Sequence, residues 1–348
     1  MKESQLGYFF IVMASVIIVL VGIKFAASIV VPFLLSLFIA IILSPSYNFF
    51  KLKGFPDILA LVIVMGVFLL ILTFIAKLIG TSVHDFSANI DTYSSKLLLY
   101  YQSISKLAED FGLEIPVSEI TAMFDTKQVM RFFTSMINGL SSVFTNGFVV
   151  ILTVVFMLLE SRNFIYKIHY AVSTQAMTHI NKIFSQIKSY MVIKALISMF
   201  TGFVVWLFLS YVGTDYAFLW GVLAFLFNFI PNIGSIIAAV PAVLITLVQL
   251  GGLSALFVAI FYLVINVTIG SILEPKVMGK GLGLSTLVVF LSLIFWGWLL
   301  GIVGMLLSIP LTIMAKIIFD ANENTKWIAV LLGSGDNLDK EEINLENR

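Results

Sequence analysis

The stretch YAFLWGVLAFLFNFIPNIGSIIAAVPAVLITLVQLGGLSALFVAIFYLVINVTIGSIL, residues 216–273, contains no charged side chain. A second uncharged run extends from Gly281 to Ala315. A water-soluble fold of this size has too little interior to hide so much apolar surface, so lipid must be the solvent of these segments. The rest of the chain agrees. Of its 348 residues 60% are hydrophobic and only 11% are charged, against about 25% charged in soluble domains. The mean hydropathy is +1.08. The fold class that follows is all-α: a polytopic transmembrane helical bundle with a broken or re-entrant helical hairpin and a helical extramembrane insert.

Apolar runs place membrane segments at about 8–23, 25–43, 58–80, 138–159, 195–212, 253–273, 284–298 and 301–319, each near the ~17–25 residues needed to cross a bilayer. Lys2 ahead of the first run resembles the start of a signal peptide. The second run follows after Lys24 alone, however, and the pair outlasts any signal h-region, so both are read as membrane helices turned near Gly22-Ile23-Lys24. The expected domain layout is 1–80 as N-terminal membrane helices, 81–137 as an extramembrane insert, 138–320 as a transport core containing the broken segment 216–250, and 321–348 as a polar tail.

Loop charge orients the chain. Lys51 and Lys53 lie in the loop 44–57, Arg162, Lys167, Lys182, Lys188 and Lys194 in the loop 160–194, and Lys276 and Lys280 in the loop 274–283. Alternating spans put these loops and both termini on one side, and the excess of basic residues makes that side cytoplasmic. The insert then lies outside. Within it Val83, Phe86, Ile90, Tyr93, Leu97, Tyr100, Ile104, Leu107 and Phe111 follow alternating steps of three and four, an a/d heptad seam. Gly112 and Pro116 end that helix, and a shorter one is expected over 118–124. The seam requires a partner, either a helix of the same chain or another subunit. Ala176, Ile180, Ile183, Ile187 and Met191 share one face of 174–194, which reads as an interfacial helix or as a solvated lead into the next span.

Several chemistries are excluded. No cysteine is present, so disulfides and thiol catalysis are ruled out. His84, His169 and His179 lack metal-site spacing, and His84 falls on the other side of the membrane from the remaining two. Gly279-Lys280-Gly281-Leu282-Gly283 is not a Walker A loop, because no Ser or Thr follows the lysine; it reads as an interfacial turn. A net charge of +1 gives no field for nucleic acid. No cofactor pattern and no catalytic constellation is found, and the chain is not expected to be an enzyme.

What remains is a break at membrane depth. Asn228-Phe229-Ile230-Pro231-Asn232-Ile233-Gly234-Ser235 interrupts the uncharged run, and Pro241 is expected to break the helix again. The interruption makes 216–250 either two short helices or a re-entrant hairpin. Freed backbone groups in lipid must be satisfied by protein or by water in a cavity, and transporters build substrate sites from such breaks. Asn228, Asn232 and Ser235 could line such a site or merely cap the helix ends. Asn266 and Thr268 in the next span could do the same or bond between helices. Glu274, which ends that span, could pair with a lysine, gate a pathway or carry a proton. Trp296, Gly297, Trp298, Gly301 and Gly304 suggest a tight helical turn, with Gly297 and Gly301 as a small-xxx-small pair, and Pro310 is expected to kink the final span.

The motifs Asn228–Ser235 with Pro241, Leu273-Glu274-Pro275-Lys276-Val277-Met278-Gly279 through Leu284, Phe295-Trp296-Gly297-Trp298-Leu299-Leu300-Gly301 and Ile309-Pro310-Leu311-Thr312 resemble those of the autoinducer-2 exporter family of bacterial membrane proteins. The resemblance is specific over 228–315 and extends to the N-terminal half only in layout. It implies a bacterial inner-membrane protein, homo-oligomeric and best matched to a pentamer, that exports the small neutral quorum-sensing signal autoinducer-2 without an ATP-binding subunit or cofactor. Members are also described as sodium or potassium/proton antiporters, a chemistry that needs an ionisable group within the membrane; only Asp215 and Glu274, at the ends of the run, could serve. An oligomeric scaffold that transports nothing is the third reading.

Overall fold

The computed structural model describes residues 2–110, 147–231, 233–278 and 283–334. The insert residues 111–137, the start of the span expected at 138, Asn232, Gly279 and the end of the tail lie outside the described residues. Among the described residues the chain is helical, and its one non-helical pairing is an isolated bridge between Leu284 and Gly333.

The order is α1 (Lys2–Phe25), α2 (Ala27–Leu52), α3 (Asp57–Asp110), α4 (Gly147–Ala171), α5 (Thr174–Val212), α6 (Ala217–Phe227), α7 (Gly234–Leu250), α8 (Gly252–Asn266), the π-helix π1 (Val267–Leu273), α9 (Glu274–Met278), α10 (Thr286–Leu306), α11 (Ser308–Asp320) and α12 (Lys326–Leu332). Ala27–Leu52, Asp57–Phe86, Ala176–Val212, Gly252–Leu273 and Thr286–Leu306 are each long and apolar enough to cross a membrane, and shorter apolar helices accompany them. The protein is a polytopic helical bundle.

Two compact units divide it: 1–64 with 146–193 and 278–348, and 65–145 with 194–277. In the first, α2 lies on α4. The buried Ser36 hydroxyl donates to the Pro32 carbonyl at 2.7 Å and to the Val150 carbonyl at 3.2 Å, with Phe38, Val154 and Leu158 buried beside it. The Lys24 ammonium stands 4.0 Å from the ring centroid of Trp298, a cation–π contact.

Several boundaries differ from the sequence expectations, each for a local reason. The first break falls at Ala26 rather than at Gly22–Lys24. α2 continues past Pro45 to Leu52, so most of the loop expected at 44–57 is helix. α5 runs unbroken from Thr174 to Val212, so 174–194 is the lead into a span, and Lys194 is a helix residue rather than a loop residue. α7 passes through Pro241 without ending. Proline there removes one backbone donor, and the helix hydrogen bonds on either side hold. Pro310 is the third residue of α11, where a missing N–H costs nothing; the chain bends before it.

That bend sits in the first unit. Gly301, at φ 69° and ψ −151°, interrupts α10 in a region essentially reserved for glycine. A side chain on Gly301 itself would meet open space. The close approach instead belongs to Gly297, packed on Met305, and to Gly304, whose missing Cβ would stand 2.0 Å from the Trp296 carbonyl oxygen. Gly297 and Gly304 therefore make the close approaches, to Met305 and to the Trp296 carbonyl, and Gly301 supplies the turn. The Trp296 indole donates to Thr312 Oγ1 at 3.0 Å and closes the corner.

Gly304→Ala is expected to lower the thermal unfolding midpoint by an amount corresponding to about 1–3 kcal/mol of overpacking, and Gly301→Ala to cost about the same through backbone strain. Gly252→Ala, which meets nothing within 4 Å, is the matched control. Equal midpoints for all three purified variants would contradict this account of the corner.

Candidate functional site

The candidate site lies within the second unit, where α6 stops. Asn228 N–H still donates to Ala224 O at 3.0 Å, but Phe229 N–H reaches Leu226 O at 3.3 Å and Ile230 N–H reaches Phe227 O at 2.8 Å. These three-residue steps tighten the last turn and use up some of the carbonyls a helix end leaves free. Pro231 cannot donate, and α7 restarts at Gly234. Gly234 is buried, and a Cβ there would fall 1.8 Å from Phe227 O, so only glycine allows the two helix ends to come this close. The run 216–250 thus holds two helices joined at the break, Ala217–Phe227 and Gly234–Leu250.

The Asn228 side chain is anchored. Its Nδ2 donates to Ser198 Oγ at 2.9 Å, and Ser198 is fully buried. One turn earlier on the same face of α5 stands Lys194, 3% exposed, whose ammonium donates to Glu274 Oε1 at 2.6 Å. A buried ion pair and a hydrogen-bonded serine–asparagine pair therefore occupy successive turns of one helix. Breaking such an ion pair by removing one partner costs about 3–5 kcal/mol, because the remaining charge is stranded.

Glu274 follows π1 directly. π-helical turns are rare and frequent at functional sites; this one resets the register between α8 and the carboxylate. Asn266 is the last residue of α8, and its Oδ1 leans over Gly270, 3.6 Å from where a Cβ would be. Ser235 is half-buried at the start of α7, while Thr268 is exposed. Of the residues expected to line a site, Asn228, Pro231, Gly234 and Ser235 meet at the break, and Glu274 reaches it through Lys194 and α5.

Opposite in sequence, the uncharged run begins at a second polar cluster. Gln249 Nε2 donates to Asp215 Oδ1 at 2.9 Å and to Gly213 O at 3.1 Å, while Gln249 Oε1 accepts from Asp215 N–H at 2.8 Å. Tyr93 OH donates to Asp215 Oδ2 at 2.8 Å, and the Trp220 indole donates to Asp215 O at 2.9 Å. Burial, the hydrogen bonds that Tyr93 makes to Tyr216 and Asp215 and the nearby carboxylate raise the Tyr93 pKa far above its ordinary value, so it stays a donor. Tyr216 takes a left-handed conformation, φ 58°, held by this cluster. Phe86 and Tyr93 of the heptad seam pack here, on Tyr216, Trp220 and each other, so for these two positions the same chain supplies the partner.

Sequence reading missed four features. Lys194 was counted as a loop charge; its place at the start of a long apolar run, with Ser198 one turn on, was the available signal. Gly202 and Gly221 form the α5–α6 crossing, each leaving only 2.6–2.8 Å between a Cβ and the other helix. Gln249 hydrogen-bonds both the Asp215 carboxylate and its backbone N–H. The Thr214–Thr246 hydroxyl pair at 3.0 Å ties α7 to the α5–α6 turn. The last three depend on pairing between distant segments, which no single helix reveals.

A model of the AI-2E family of transporters matches residues 13–324. Over 92% of the chain and 94% of the relative, the sequence is 40% identical to the AI-2 transport protein TqsA of Escherichia coli K12. It is 42% identical over 92% of the chain to a Haemophilus influenzae protein ascribed a transport role, which it covers to 94%. It is 37% identical to Escherichia coli YhhT, also ascribed a transport role, with 93% of each chain covered. Uncharged membrane helices, a broken helix pair and a buried polar row beside the break are features of a transporter rather than of an enzyme, and this multi-pass membrane protein belongs to the AI-2E family of transporters.

Proposed function

We propose that this transporter exports a small, neutral, polyhydroxylated solute of the autoinducer-2 type, and that its path runs past the break between α6 and α7. The observation that carries the reading is the Asn228–Ser198 pair, which places a half-buried neutral amide on a fully buried hydroxyl where the backbone is interrupted. A polyol needs neutral donors and acceptors. Among the described residues the carboxylate beside the break, Glu274, is already matched by Lys194, which leaves it little suited to a cation. The printed name of the Escherichia coli relative, an AI-2 transport protein, supports the same substrate class.

The reading includes a bacterial inner-membrane location with both termini cytoplasmic, resting on Arg162, Lys167, Lys182 and Lys188, and a homo-oligomer, with five subunits the working number. Removing Lys194 from the loop count leaves that basic excess intact. Lys182 lies 3.6 Å from Asp320, and both belong on the cytoplasmic side of this scheme.

Asn228→Leu is expected to cut flux of labelled autoinducer-2 from loaded vesicles at least ~10-fold, equivalent to about 1.4 kcal/mol, while lowering stability only by the ~0.6–2 kcal/mol of one intramembrane hydrogen bond. Asn232→Leu is expected to behave similarly. Wild-type flux in folded variants would count against the path. Addition of sodium or potassium to acid-loaded vesicles is expected to leave the pH gradient intact; a dissipation abolished by Glu274→Gln would replace the export reading with cation/proton antiport. For the ion pair, Glu274→Leu alone is expected to destabilise by about 3–5 kcal/mol, and the double variant Lys194→Met with Glu274→Leu to recover most of it. Thermal midpoints of the single and double variants check this, and a double variant no more stable than the single would refute the pairing.

A further inference from the structure

The hairpin of α7 and α8 contains a polar group that the break does not use. Tyr262 is 5% exposed, and its hydroxyl has no hydrogen-bond partner among the described residues. Leaving a buried hydroxyl unmatched costs about 1–3 kcal/mol, and phenylalanine would fill the same space without that cost. The buried face of α8 follows the helical repeat Ala255, Val258, Tyr262 and, in π1, Ile269. Asn266 lies one turn beyond Tyr262 on this side, is half-buried and makes no side-chain hydrogen bond among the described residues.

The partner strip on α7 is also short of a hydrogen bond. The two helices turn back on each other at Gly251, whose φ of 90° reverses the chain. Counting outward from Gly251, Tyr262 stands level with Val240 and Pro241, and Asn266 with Ile236. Pro241 has no N–H, so the Ile237 carbonyl lacks the donor that an unbroken helix supplies four residues on. By this count the residues that carry a hydroxyl, an amide and a backbone carbonyl, all neutral and none matched by the usual partner, fall within about one turn of each other in register along the α7–α8 hairpin.

We propose that Tyr262 is a substrate-binding residue: its hydroxyl, with the Asn266 amide and the Ile237 carbonyl, forms a second polar station for a neutral polyhydroxylated solute. This rests on the export reading and deepens it. The phenol can both donate and accept, the carbonyl only accepts, and the amide does both. That set suits vicinal hydroxyls and offers a metal cation no charged ligand. The unmatched hydroxyl is kept because the solute, in passing, completes it. A site built to hydrogen-bond a hydroxyl also rejects analogues that lack one, since its own groups are then left unpaired.

The test is Tyr262→Phe in the full chain in lipid nanodiscs, with thermal unfolding followed against increasing autoinducer-2. The wild type is expected to gain stability as the solute is added. The variant should keep or exceed the ligand-free midpoint and need at least ~10-fold more solute for the same gain, the loss of about 1.4 kcal/mol of binding. Equal gains in both proteins, no gain in the wild type, or a lowered ligand-free midpoint in the variant would each overturn the proposal, the last because it would make the hydroxyl a structural one. Vesicle flux separates this from the export reading. Wild-type protein that binds the solute without moving it sinks export and leaves the station standing. Export with an unchanged KM in Tyr262→Phe sinks the station and leaves export standing.

Discussion

The arrangement of the second unit follows from one requirement: a helix interrupted inside lipid must find partners for its freed polar groups within the protein. The interruption at 228–233 is fixed by Pro231, which cannot donate, and by Gly234, the only residue that fits against the Phe227 carbonyl. Tight turns at Phe229 and Ile230 use some of the freed carbonyls. The Asn228 amide finds Ser198, which requires α5 to lie alongside. That approach is possible because Gly202 and Gly221 let α5 and α6 cross almost backbone to backbone. The preceding turn of α5 presents Lys194, and the carboxylate that follows π1 answers it.

Several polar groups of this unit are thus matched to others from distant parts of the sequence. Asp215 is held by Gln249 and Tyr93, Thr214 by Thr246, and Ser198 by Asn228. The unit is also where the irregular backbone is concentrated: the break itself, the left-handed Tyr216, the proline within α7 and the π-helical turn. Irregular backbone is tolerated at membrane depth where protein surrounds it. The first unit has its own irregular corner at Gly301, closed by the Trp296–Thr312 hydrogen bond.

Much of this was legible in the linear sequence. The uncharged run 216–273 required membrane helices, Pro231 and Gly234 located the interruption, and Gly297 with its neighbours marked a tight turn. The expectations that moved did so where a local rule met a tertiary one. Pro241 and Pro45 stay within helices because packing on both sides outweighs one lost hydrogen bond. Gly301, chosen as a contact residue from its spacing, is instead needed for its backbone angles. Lys194, counted among loop charges, is buried because a carboxylate eighty positions away is there to receive it.

The sequence by itself determined that this chain lives in lipid, is helical, and is broken at one uncharged place. Those properties depend on composition, on proline's missing donor and on glycine's missing side chain, all of which are local. Only the tertiary structure decided which polar groups answer one another: that Glu274 meets Lys194, that Asn228 meets Ser198, and that the Tyr262 hydroxyl has no partner among the described residues. The reason is physical. A helix's own hydrogen bonds are settled within four residues, whereas a side chain buried away from water must find its partner on another helix, wherever the fold brings one.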